Sequence, residues 1–436
     1  MAETTSRPLA EHVVTRLKQS GFNAYFVGGC VRDLLLGRQP KDFDVSTNAA
    51  PDQVLSLFPK ANQVGAHFGV VLVNDGEAHV EVATFRSDHA YQDGRHPGSV
   101  TFEKDPREDV LRRDFTINAL MMDPADGVVI DYVGGQHDLR LGIIRAIGEP
   151  ERRFTEDHLR MLRAIRFAAR LGFAIDPGTM SAIQRLHGSI MRVSAERIRD
   201  ELVRILSEGG ARRGFELLDQ SGLLADVLPE VAAMKGVAQP PEFHPEGDVW
   251  THRVIMLEGL EGAAPALAFG VLLHDVGKPG TFRLAPDRIR FDGHVDLGVK
   301  LARGIMERLR FSNEDCEQVL ALVENHMKFG DVHRMRESTL KRFLRLPRFD
   351  EHLRLHELDC GSSHRNLENY RFVQEKLKET PPEQLKPPPL ITGHDLIAMG
   401  LKPGPSFTEI LRAVEDAQLE GRLVDKQSAL EFVNSL

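Results

Sequence analysis

Cysteine is scarce in this sequence of 436 residues, which contains only three. Cysteines this far apart cannot build a disulfide framework, and none of them forms the Cys-x-x-Cys spacing of a metal knuckle. We therefore expect all three to be small buried side chains. They are Cys30, Cys316 and Cys360.

Long apolar runs are also missing. No segment approaches the about 20 apolar residues that a membrane-spanning helix needs. The first residues, MAETTSRPLAEHVV, lack the basic and apolar regions of a signal peptide. We therefore expect a cytoplasmic protein without a membrane partner.

An excess of positive charge is missing as well, because 55 Lys and Arg stand against 64 Asp and Glu, for a formal net charge of −9. Non-specific coating of nucleic acid rests on many cationic contacts to phosphates, so that class of protein is excluded. A local basic track remains between residues 140 and 170, with a solvated helix face as the alternative. Its arginines are Arg140, Arg145, Arg152, Arg153, Arg160, Arg163, Arg166 and Arg170.

The order of helix and strand signals predicts an α+β protein. The segment 11–21 has helical apolar spacing and ends at a glycine, and residues 23–29, 68–76 and 79–85 have strand character. From residue 154 onward the spacing is helical, with Thr155 at a helix start and acidic residues in the first turn. A chain of this length predicts two to four domains.

The stretch GGCVRDLLLG, which begins at Gly28, is suited to binding a triphosphate. Gly28 and Gly29 would let backbone N–H groups come close to phosphates, and the following helix start favours an anion. Arg32 would neutralise phosphate oxygens. These features indicate phosphoryl or nucleotidyl transfer.

Two aspartates follow in the segment DFD. Asp42 and Asp44 are separated by one residue of an extended strand, so their side chains point to the same face and could hold divalent metal ions. Glu81, in the alternating strand HVEVATF, is the best candidate for a third acidic ligand. Taken alone, DFD has a simpler alternative, a strand edge with surface carboxylates.

Five segments stand in the same order as the motifs of a known family, the class II nucleotidyltransferases, which comprise bacterial CCA-adding tRNA nucleotidyltransferases and poly(A) polymerases. GGCVRDLLLG with DFD resembles the catalytic motif, LRRDFTINAL the ribose and triphosphate motif, and DYVGGQHDL the hinge-like motif. EDHLRMLRAIRF resembles the nucleotide-selecting motif, and SAERIRDEL the helical segment after it. The resemblance covers most of the chain.

The resemblance implies roles for two groups of residues. In RRDFTINAL, Arg113 would meet phosphates, while Asp114 and Asn118 would bind sugar hydroxyls, with Asp114 near the ribose 2′-OH. A structural ion pair between Arg113 and Asp114 is the alternative.

In EDHLRMLR, the resemblance implies that Asp157 and Arg160 read the Watson–Crick edges of CTP or ATP, with Arg163 in support. Protein side chains would then replace a nucleic-acid template. The alternative is a solvated helix on which Glu156 and Arg160 form a salt bridge four residues apart.

Two features bear on which family member this is. Family poly(A) polymerases typically carry a basic pair where this chain has Ala66 and His67. The polar segment 84–102 resembles the flexible loop of CCA- and A-adding enzymes. The resemblance therefore implies CCA addition to the tRNA 3′ end from CTP and ATP with Mg²⁺, and leaves an A-adding enzyme or a poly(A) polymerase as alternatives.

The second half carries a different set of residues, which matches the ligand order of HD-type metal phosphohydrolases. Imidazole and carboxylate suit a transition metal or Mg²⁺, and hydrolysis of phosphate esters such as 2′,3′-cyclic phosphates is our hypothesis. The alternatives are a structural tRNA-binding body or, for the whole chain, a phosphohydrolase or tRNA-binding protein with an inactive head. The predicted ligands are His252, His274, Asp275, His294, His326 and Asp359.

The two resemblances together predict four parts. A polymerase-β-like α/β head would be followed by an all-α neck, an HD-like helical body and a helical tail. Proline clusters near residues 240 and 385 mark two plausible joints. The predicted ranges are 1–150, 151–235, 236–380 and 381–436.

Overall fold

The computed structural model describes residues 6–63, 69–76, 78–91, 97–242 and 244–436. The chain divides into two compact units, Met1–Pro229 and Glu230–Leu436. The N-terminal part contains a mixed sheet with helices, and the rest is mostly helical, which confirms the predicted α+β class. The finer division into head, neck, body and tail stays a prediction.

Strands of the first unit are short, and most lie within the first 130 residues. They are β1 (Ala24–Val27), β2 (Asp44–Thr47), β3 (Asn62–Gln63), β4 (Val70–Asp75), β5 (Ala78–Thr84), β6 (Arg86–Tyr91), β7 (Pro97–Phe102), β8 (Met121–Met122), β9 (Val129–Ile130), β10 (Ile143–Ile144) and β11 (Ala174–Ile175).

Seven of these strands form one mixed sheet in the order β3-β4-β5-β2-β1-β8-β9. The central strand β2 is antiparallel to β1 and parallel to β5. In β5, Val80 and Val82 are buried while Glu81 between them is exposed, as expected for a half-buried strand. The register of this sheet places the acidic residues described below.

Helix α1 covers one face of the sheet with a regular apolar stripe. Leu9, Val13 and Leu17 are buried at a spacing of four residues, which is one face of a helix. The helices that begin in the first unit are α1 (Ser6–Gln19), α2 (Gly29–Leu35), α3 (Pro51–Leu57), α4 (Pro106–Leu111), α5 (Gly135–Leu141), α6 (Pro150–Glu156), α7 (Leu159–Leu171), α8 (Pro177–Leu186), α9 (Ala195–Ser207), α10 (Ala211–Ser221), α11 (Leu223–Val227) and α12 (Pro229–Ala232).

The predicted helix start at Thr155 is wrong. Thr155 lies near the end of α6, and the chain leaves the helix at Asp157, which has extended backbone angles. A new helix, α7, begins at Leu159, whose N–H donates to the Asp157 carboxylate. Glu156 is therefore the last residue of α6, and Asp157 lies in the connection between α6 and α7.

The predicted polar loop at 84–102 is also different in the structure. Its described residues form the antiparallel strands β6 and β7, with Arg86 opposite Phe102. The segment is rich in polar residues and glycine, a composition that is typical of a loop, which explains the difference. Ala66 and His67 lie outside the described residues.

The second unit contains two local apolar clusters, one around Phe329 and Phe343 and one around Leu396 and Val414. Its two described strands, β12 (Arg283–Leu284) and β13 (Ile289–Arg290), form an antiparallel ribbon. Its helices are α13 (Val249–Met256), α14 (Pro265–Leu273), α15 (Lys278–Thr281), α16 (His294–Arg308), α17 (Asn313–Asn325), α18 (Glu337–Leu344), α19 (Phe349–Ser362), α20 (Glu368–Glu379), α21 (Pro382–Leu385), α22 (Gly393–Ala398), α23 (Pro405–Leu419) and α24 (Lys426–Asn434).

Two of the three cysteines are buried as predicted, and all three are free thiols. Cys30 and Cys360 are buried, whereas Cys316 is only half-buried. Among the described helices, none combines the length and the apolar character needed to cross a membrane.

Candidate functional site

Asp44 and Glu81 are neighbours in the sheet. They are Cα partners in the parallel pair β2–β5, and Asp44 is also paired with Val27 of β1. Asp42 precedes β2, and its carboxylate is close enough to Asp44 for its negative charge to raise the pKa of Asp44. The sheet therefore brings the three predicted acidic residues to one region.

The charge of Asp44 is poorly compensated. Burial raises the pKa of Asp44 to about 6, and the negative charges of Glu81 and Asp42 add to this effect, against a lowering by Arg113. Desolvated carboxylates that repel each other favour a bound cation. In the described part of the chain, these carboxylates do not place ligand atoms within 4.8 Å of one another as a set of three.

The predicted glycine turn is present at the start of α2. Gly28 has φ 74°, which glycine adopts without strain. A Cβ atom at Gly28 would lie 3.2 Å from Nη1 of Arg113, so the missing side chain lets this guanidinium approach the turn. Gly29 is the first residue of α2.

The side chain of Arg32, which follows this turn, is buried. Its side chain is 4% exposed, pairs with Asp33 at 2.7 Å and donates from Nη1 to Oδ1 of Asn118 at 2.7 Å. Sequence reasoning predicted a guanidinium open to phosphates. The structure instead shows one held by two protein partners.

The alternative of an ion pair between Arg113 and Asp114 is wrong. Arg113 pairs with Asp109 at 2.9 Å, and Asp114 accepts two hydrogen bonds from Arg163 at 2.6 and 2.9 Å. Burial raises the pKa of Asp114, but Arg163 outweighs this effect, and the pKa falls to about 2. Asp114 is therefore a fixed, ionised carboxylate.

Asp114 also has neutral partners. Its Oδ1 accepts from the backbone N–H of Phe115 at 2.8 Å and from Nδ2 of Asn118 at 3.2 Å. The predicted sugar-binding pair, Asp114 and Asn118, is thus brought together by one turn of 3₁₀ helix at Thr116–Asn118.

The predicted base-reading residues are both held in place. Asp157 pairs with Arg197 through two bonds of 2.8 and 3.2 Å. Arg160 donates to Glu156 at 2.9 Å and to the carbonyl oxygens of Arg153 and Arg112 at 3.1 Å. The salt bridge between Glu156 and Arg160 that the alternative predicted is present, but Arg160 is only 9% exposed, so the solvated helix face is wrong.

Sequence reasoning missed three residues of this region, Asp109, Arg197 and Glu201. Asp109 stands three and four residues before the two arginines that it binds, which is helical pair spacing. Arg197 and Glu201 are also four apart, on α9. Arg197 pairs with Asp157, and Glu201 pairs with Arg166 of α7 as well as with Arg204 of α9, so spacing within α9 could not identify the contacts to the other elements.

The six predicted ligands of the second half form one cluster in the second unit. Oδ2 of Asp275 lies 3.3 Å from Nε2 of His274, and Oδ1 of Asp275 lies 3.6 Å from Nε2 of His326 and 3.7 Å from Nε2 of His294. The other two predicted ligands are in contact with each other, with Nε2 of His252 2.9 Å from Oδ1 of Asp359. The ring of His252 lies 6.2 Å from that of His274, measured between centroids.

The donor set suits a metal ion. The Nε2 atoms of His294 and His326 are buried and have no hydrogen-bond partner, while the Nδ1 atom of each lies within hydrogen-bond distance of a backbone carbonyl. Burial, with the positive charge of Arg253, lowers the pKa of His274 to about 3, so this imidazole is neutral and free to act as a ligand.

Glu246 and His244 were missed by sequence reasoning. Oε1 of Glu246 lies 2.7 Å from Nδ1 of His252 and 2.9 Å from Nδ1 of His244. A carboxylate on the far nitrogen of a metal-binding histidine fixes its ring orientation. Glu246 lies in one of the predicted proline-rich joints, which gave no sign of this role.

A cavity of about 450 Å³ opens beside the cluster. Lys278 is buried at its edge and bonds to Asp275 at 2.9 Å and to Gln239 at 2.7 Å. The His394-Asp395 dipeptide has no such surroundings, because Asp395 caps α22 and pairs with Lys426. The cavity is lined by Asp275, Lys278, His294, His326, Asp359 and His364, among others.

Three family models match the chain in the order that the motifs predict. The poly A polymerase head domain matches residues 24–145. The model described as a probable RNA and SrmB binding site of polymerase A matches 172–235, and tRNA nucleotidyltransferase domain 2 matches 294–433.

The CCA-adding enzyme of Leuconostoc mesenteroides is 33% identical over 424 residues, which cover 97% of this chain and 94% of that enzyme. The chain belongs to the CCA-adding enzyme family. The CCA-adding enzyme of Geobacillus stearothermophilus is more similar, 48% identical, over 221 residues that span about half of each protein, 50% of this chain and 54% of that enzyme. The family predicted from the motifs is confirmed.

Solved structures of CCA-adding enzymes have the same fold. The Bacillus stearothermophilus CCA-adding enzyme in complex with CTP superposes with a TM-score of 0.76 at 28% identity and covers 98% of this chain and 97% of that chain. The Thermotoga maritima CCA-adding enzyme complexed with tRNA has a TM-score of 0.59 at 21% identity, with 99% and 96% covered, and this likeness concerns the fold alone.

Proposed function

We propose that this protein is a CCA-adding tRNA nucleotidyltransferase that transfers nucleotides from CTP and ATP to the tRNA 3′ end. The observation that carries the proposal is the near full-length relation to a CCA-adding enzyme. The related Bacillus stearothermophilus structure contains CTP, which is consistent with a nucleotide substrate here. A cytoplasmic location is part of the same proposal.

In this proposal the tRNA 3′-hydroxyl attacks the α-phosphate of the nucleotide in line and pyrophosphate leaves. Asp42 and Asp44, with Glu81, would hold Mg²⁺, which supplies positive charge to the attacking and leaving oxygens. Asp44 and Glu81 are paired between β2 and β5, and Asp42 lies just before β2. The turn at Gly28 and Gly29 and the nearby Arg113 would bind the triphosphate.

Asp114 and Asn118 would bind the ribose hydroxyls. Ionised Asp114 accepts hydrogen bonds, so it would favour a sugar with a 2′-OH. Arg163 and Arg32 support these two side chains from the protein side.

Asp157 and Arg160 would read the base. Their bonds to Arg197 and Glu156 keep both side chains in place before a nucleotide binds. A preformed pair of this kind costs little ordering entropy when CTP or ATP arrives.

The test uses three tRNA transcripts, which end at the discriminator base, after the first C and after CC, with Mg²⁺ and CTP, ATP or both. Completion of CCA from the shortest transcript, with a stop there, is expected. Extension of the CC-ending transcript alone would indicate an A-adding enzyme, and long A tracts on many RNAs would indicate a poly(A) polymerase. Asp44→Ala should abolish incorporation, and retained incorporation would refute the metal assignment.

We propose a second function for the second unit, hydrolysis of phosphate esters such as 2′,3′-cyclic phosphates. The supporting observation is the convergence of three imidazole Nε2 atoms on Asp275, two of them buried and without a partner. A divalent metal held there would supply a bound water as the nucleophile. Lys278 would face the phosphate from the edge of the cavity.

Metal-depleted protein, reconstituted with Mg²⁺, Mn²⁺, Ni²⁺ or Zn²⁺, tests this second proposal on RNA ending in a 2′,3′-cyclic phosphate. We expect hydrolysis with at least one metal and its loss in Asp275→Asn. The matched control is Asp395→Asn in the isolated His-Asp dipeptide. Absence of hydrolysis with every metal would refute the activity, and metal affinity measured in parallel would show whether the binding site exists without it.

A further inference from the structure

Nine polar side chains of the first unit form a closed ring of hydrogen bonds and salt bridges, here called the circuit, which includes the predicted sugar-binding pair. Four arginines and four carboxylates take part, and the ninth member is an amide. A further arginine outside the circuit, Arg204, lies 3.7 Å from Oε1 of Glu201. Consecutive members are joined by contacts of 3.9 Å or less. The members are Arg32, Asp33, Asp114, Asn118, Arg163, Arg166, Arg170, Glu201 and Glu208.

One arm of the circuit runs from Asp114 to α9. Arg163 binds Asp114 through two hydrogen bonds, and its Nη1 lies 3.9 Å from Oε1 of Glu201. The other oxygen of Glu201 accepts from Nε of Arg166 at 2.7 Å. Glu201 therefore connects two consecutive arginines of α7.

The second arm of the circuit runs from Asp114 through α2, the helix that follows the glycine turn. Asn118 joins Asp114 to Arg32, which pairs with Asp33 at 2.7 Å. Arg170 lies 3.8 Å from Asp33 and 3.6 Å from Glu208, and Glu208 accepts from Arg166 at 3.1 Å. The two arms meet at Arg166.

Phe167 lies against the guanidinium groups of three of these arginines. Its ring centroid is 4.3 Å from Arg166 and 5.3 Å from both Arg32 and Arg163. Phe167 is buried and meets Phe115 edge to face. An aromatic face stabilises nearby cations, so the arginines are restrained from this side as well.

Much of the circuit is withdrawn from water. The side chains of Glu201, Arg32 and Arg166 are only 4 to 6% exposed. At low dielectric, paired charges interact strongly, and networks of this kind restrain each member through its neighbours. Glu201 is thus placed to fix Arg163, and through Arg163 the rotamer of Asp114.

We propose that Glu201 is a positioning residue that sets how strictly the enzyme distinguishes ribonucleotides from deoxyribonucleotides. This inference rests on the proposed role of Asp114 at the ribose 2′-OH. Glu201 itself would not touch the nucleotide. It holds Arg163 in the geometry that keeps the Asp114 carboxylate fixed, and a fixed acceptor loses more when the hydroxyl is absent.

The experiment compares kcat/KM for CTP and dCTP on a tRNA transcript that ends at the discriminator base. The variants are Glu201→Gln and the double variant Arg166→Gln with Glu201→Gln, which leaves no buried charge unpaired within that pair and so is expected to fold. The control is Glu216→Gln, which breaks a salt bridge to Arg212 on the neighbouring helix α10 with both side chains exposed. Asp114→Ala tests the ribose assignment separately.

We expect the ratio of kcat/KM for CTP over dCTP to fall about tenfold in both Glu201 variants and to stay unchanged in the control. If folded Glu201 variants keep the wild-type ratio while Asp114→Ala loses it, the inference about Glu201 is refuted and the proposed ribose role of Asp114 is not. If Asp114→Ala also keeps the ratio, the proposed ribose role fails and the inference fails with it. A loss of overall activity with an unchanged ratio would likewise contradict the positioning role.

Discussion

Asp44 is paired with neighbouring strands on both sides, so its backbone is held beside that of Glu81. The raised pKa of Asp44 is the consequence, because burial and a second negative charge both disfavour its ionised form. The residue that would bind the cation is therefore one whose charge destabilises the metal-free fold.

This cost gives a prediction for Asp44→Asn in metal-free buffer with a chelator. The folded pKa of Asp44 is about 6 and the ordinary value is 3.8, so the folded state holds its proton longer. The contribution of Asp44 to the free energy of unfolding therefore falls as pH rises from about 4 to about 6. We expect the variant to gain stability over wild type across this window, measured by chemical denaturation.

Saturating Mg²⁺ provides the control for that prediction. A cation bound by the wild type alone stabilises it by mass action, so the advantage of the variant should shrink or reverse. Parallel stability curves from pH 4 to 7 without metal would contradict the assignment of the raised pKa.

A second prediction concerns base choice. Arg160→Ala should reduce the discrimination between correct and incorrect nucleotides by roughly tenfold or more, because side-chain hydrogen bonds that read the base are lost. The matched control is Arg152→Ala, since Arg152 also pairs with Glu156 but its side chain is 76% exposed. Kinetics with CTP and ATP on CC-ending tRNA measure the effect. An unchanged preference would move base selection elsewhere.

At the scale of secondary-structure elements, glycines allow the close approaches that position the residues of both candidate sites. The turn before α2 has a positive φ at Gly28 and room for Arg113 only because no Cβ is present. In the second unit, a Cβ at Gly277 would lie 2.1 Å from the carbonyl oxygen of His294, where the start of α15 meets α16. A side chain at Gly277 would clash with backbone, whereas one at Gly28 would strain the turn and displace the Arg113 guanidinium.

Gly28→Ala is predicted to destabilise the first unit by about 1–2 kcal/mol and to raise KM for the nucleotide. Gly37→Ala is the matched control, because Gly37 has a similar φ of 67° with no atom within 4 Å of a new Cβ. The control should show the stability loss without the change in KM. Equal KM effects in both variants would indicate backbone strain and not displacement of Arg113.

Gly277→Ala is predicted to weaken metal binding in the second unit at least tenfold, because α16 must move and carry His294 away from Asp275. Isothermal titration of metal-depleted protein measures this directly. Gly304→Ala on the same helix meets nothing within 4 Å and should bind metal like wild type. Normal affinity in Gly277→Ala would argue against His294 as a ligand.

At the scale of the whole molecule, the two candidate sites belong to different compact units. Asp44 lies in the first and Asp275 in the second, and each has its own set of partners. The two proposed activities therefore have separate chemical requirements.

We accordingly predict that Asp44→Asn removes nucleotide addition and keeps metal binding at the histidine cluster, while Asp275→Asn does the reverse. Incorporation assays and metal titration on both full-length variants measure this. Loss of both properties in either variant would show that the sites are not independent.

The sequence by itself determined the family and the α+β class, because motif order and apolar spacing depend on short-range order. Strand alternation and the glycine turn are local properties as well, so Asp44, Glu81 and Gly28 could be predicted as candidates from neighbouring residues, whereas the pairing of Asp44 with Glu81 is a tertiary contact between β2 and β5. The order of the histidine cluster was predictable in the same way. The roles of these residues in catalysis stay predictions.

Only the tertiary structure decided which charges pair. Asp114 binds Arg163 and not its neighbour Arg113, Asp157 binds Arg197, and Glu246 supports His252. The helix break at Asp157 was equally hidden, because it is fixed by a partner 40 residues away. Pairing of this kind depends on distance in space, which the spacing of residues along the chain does not specify.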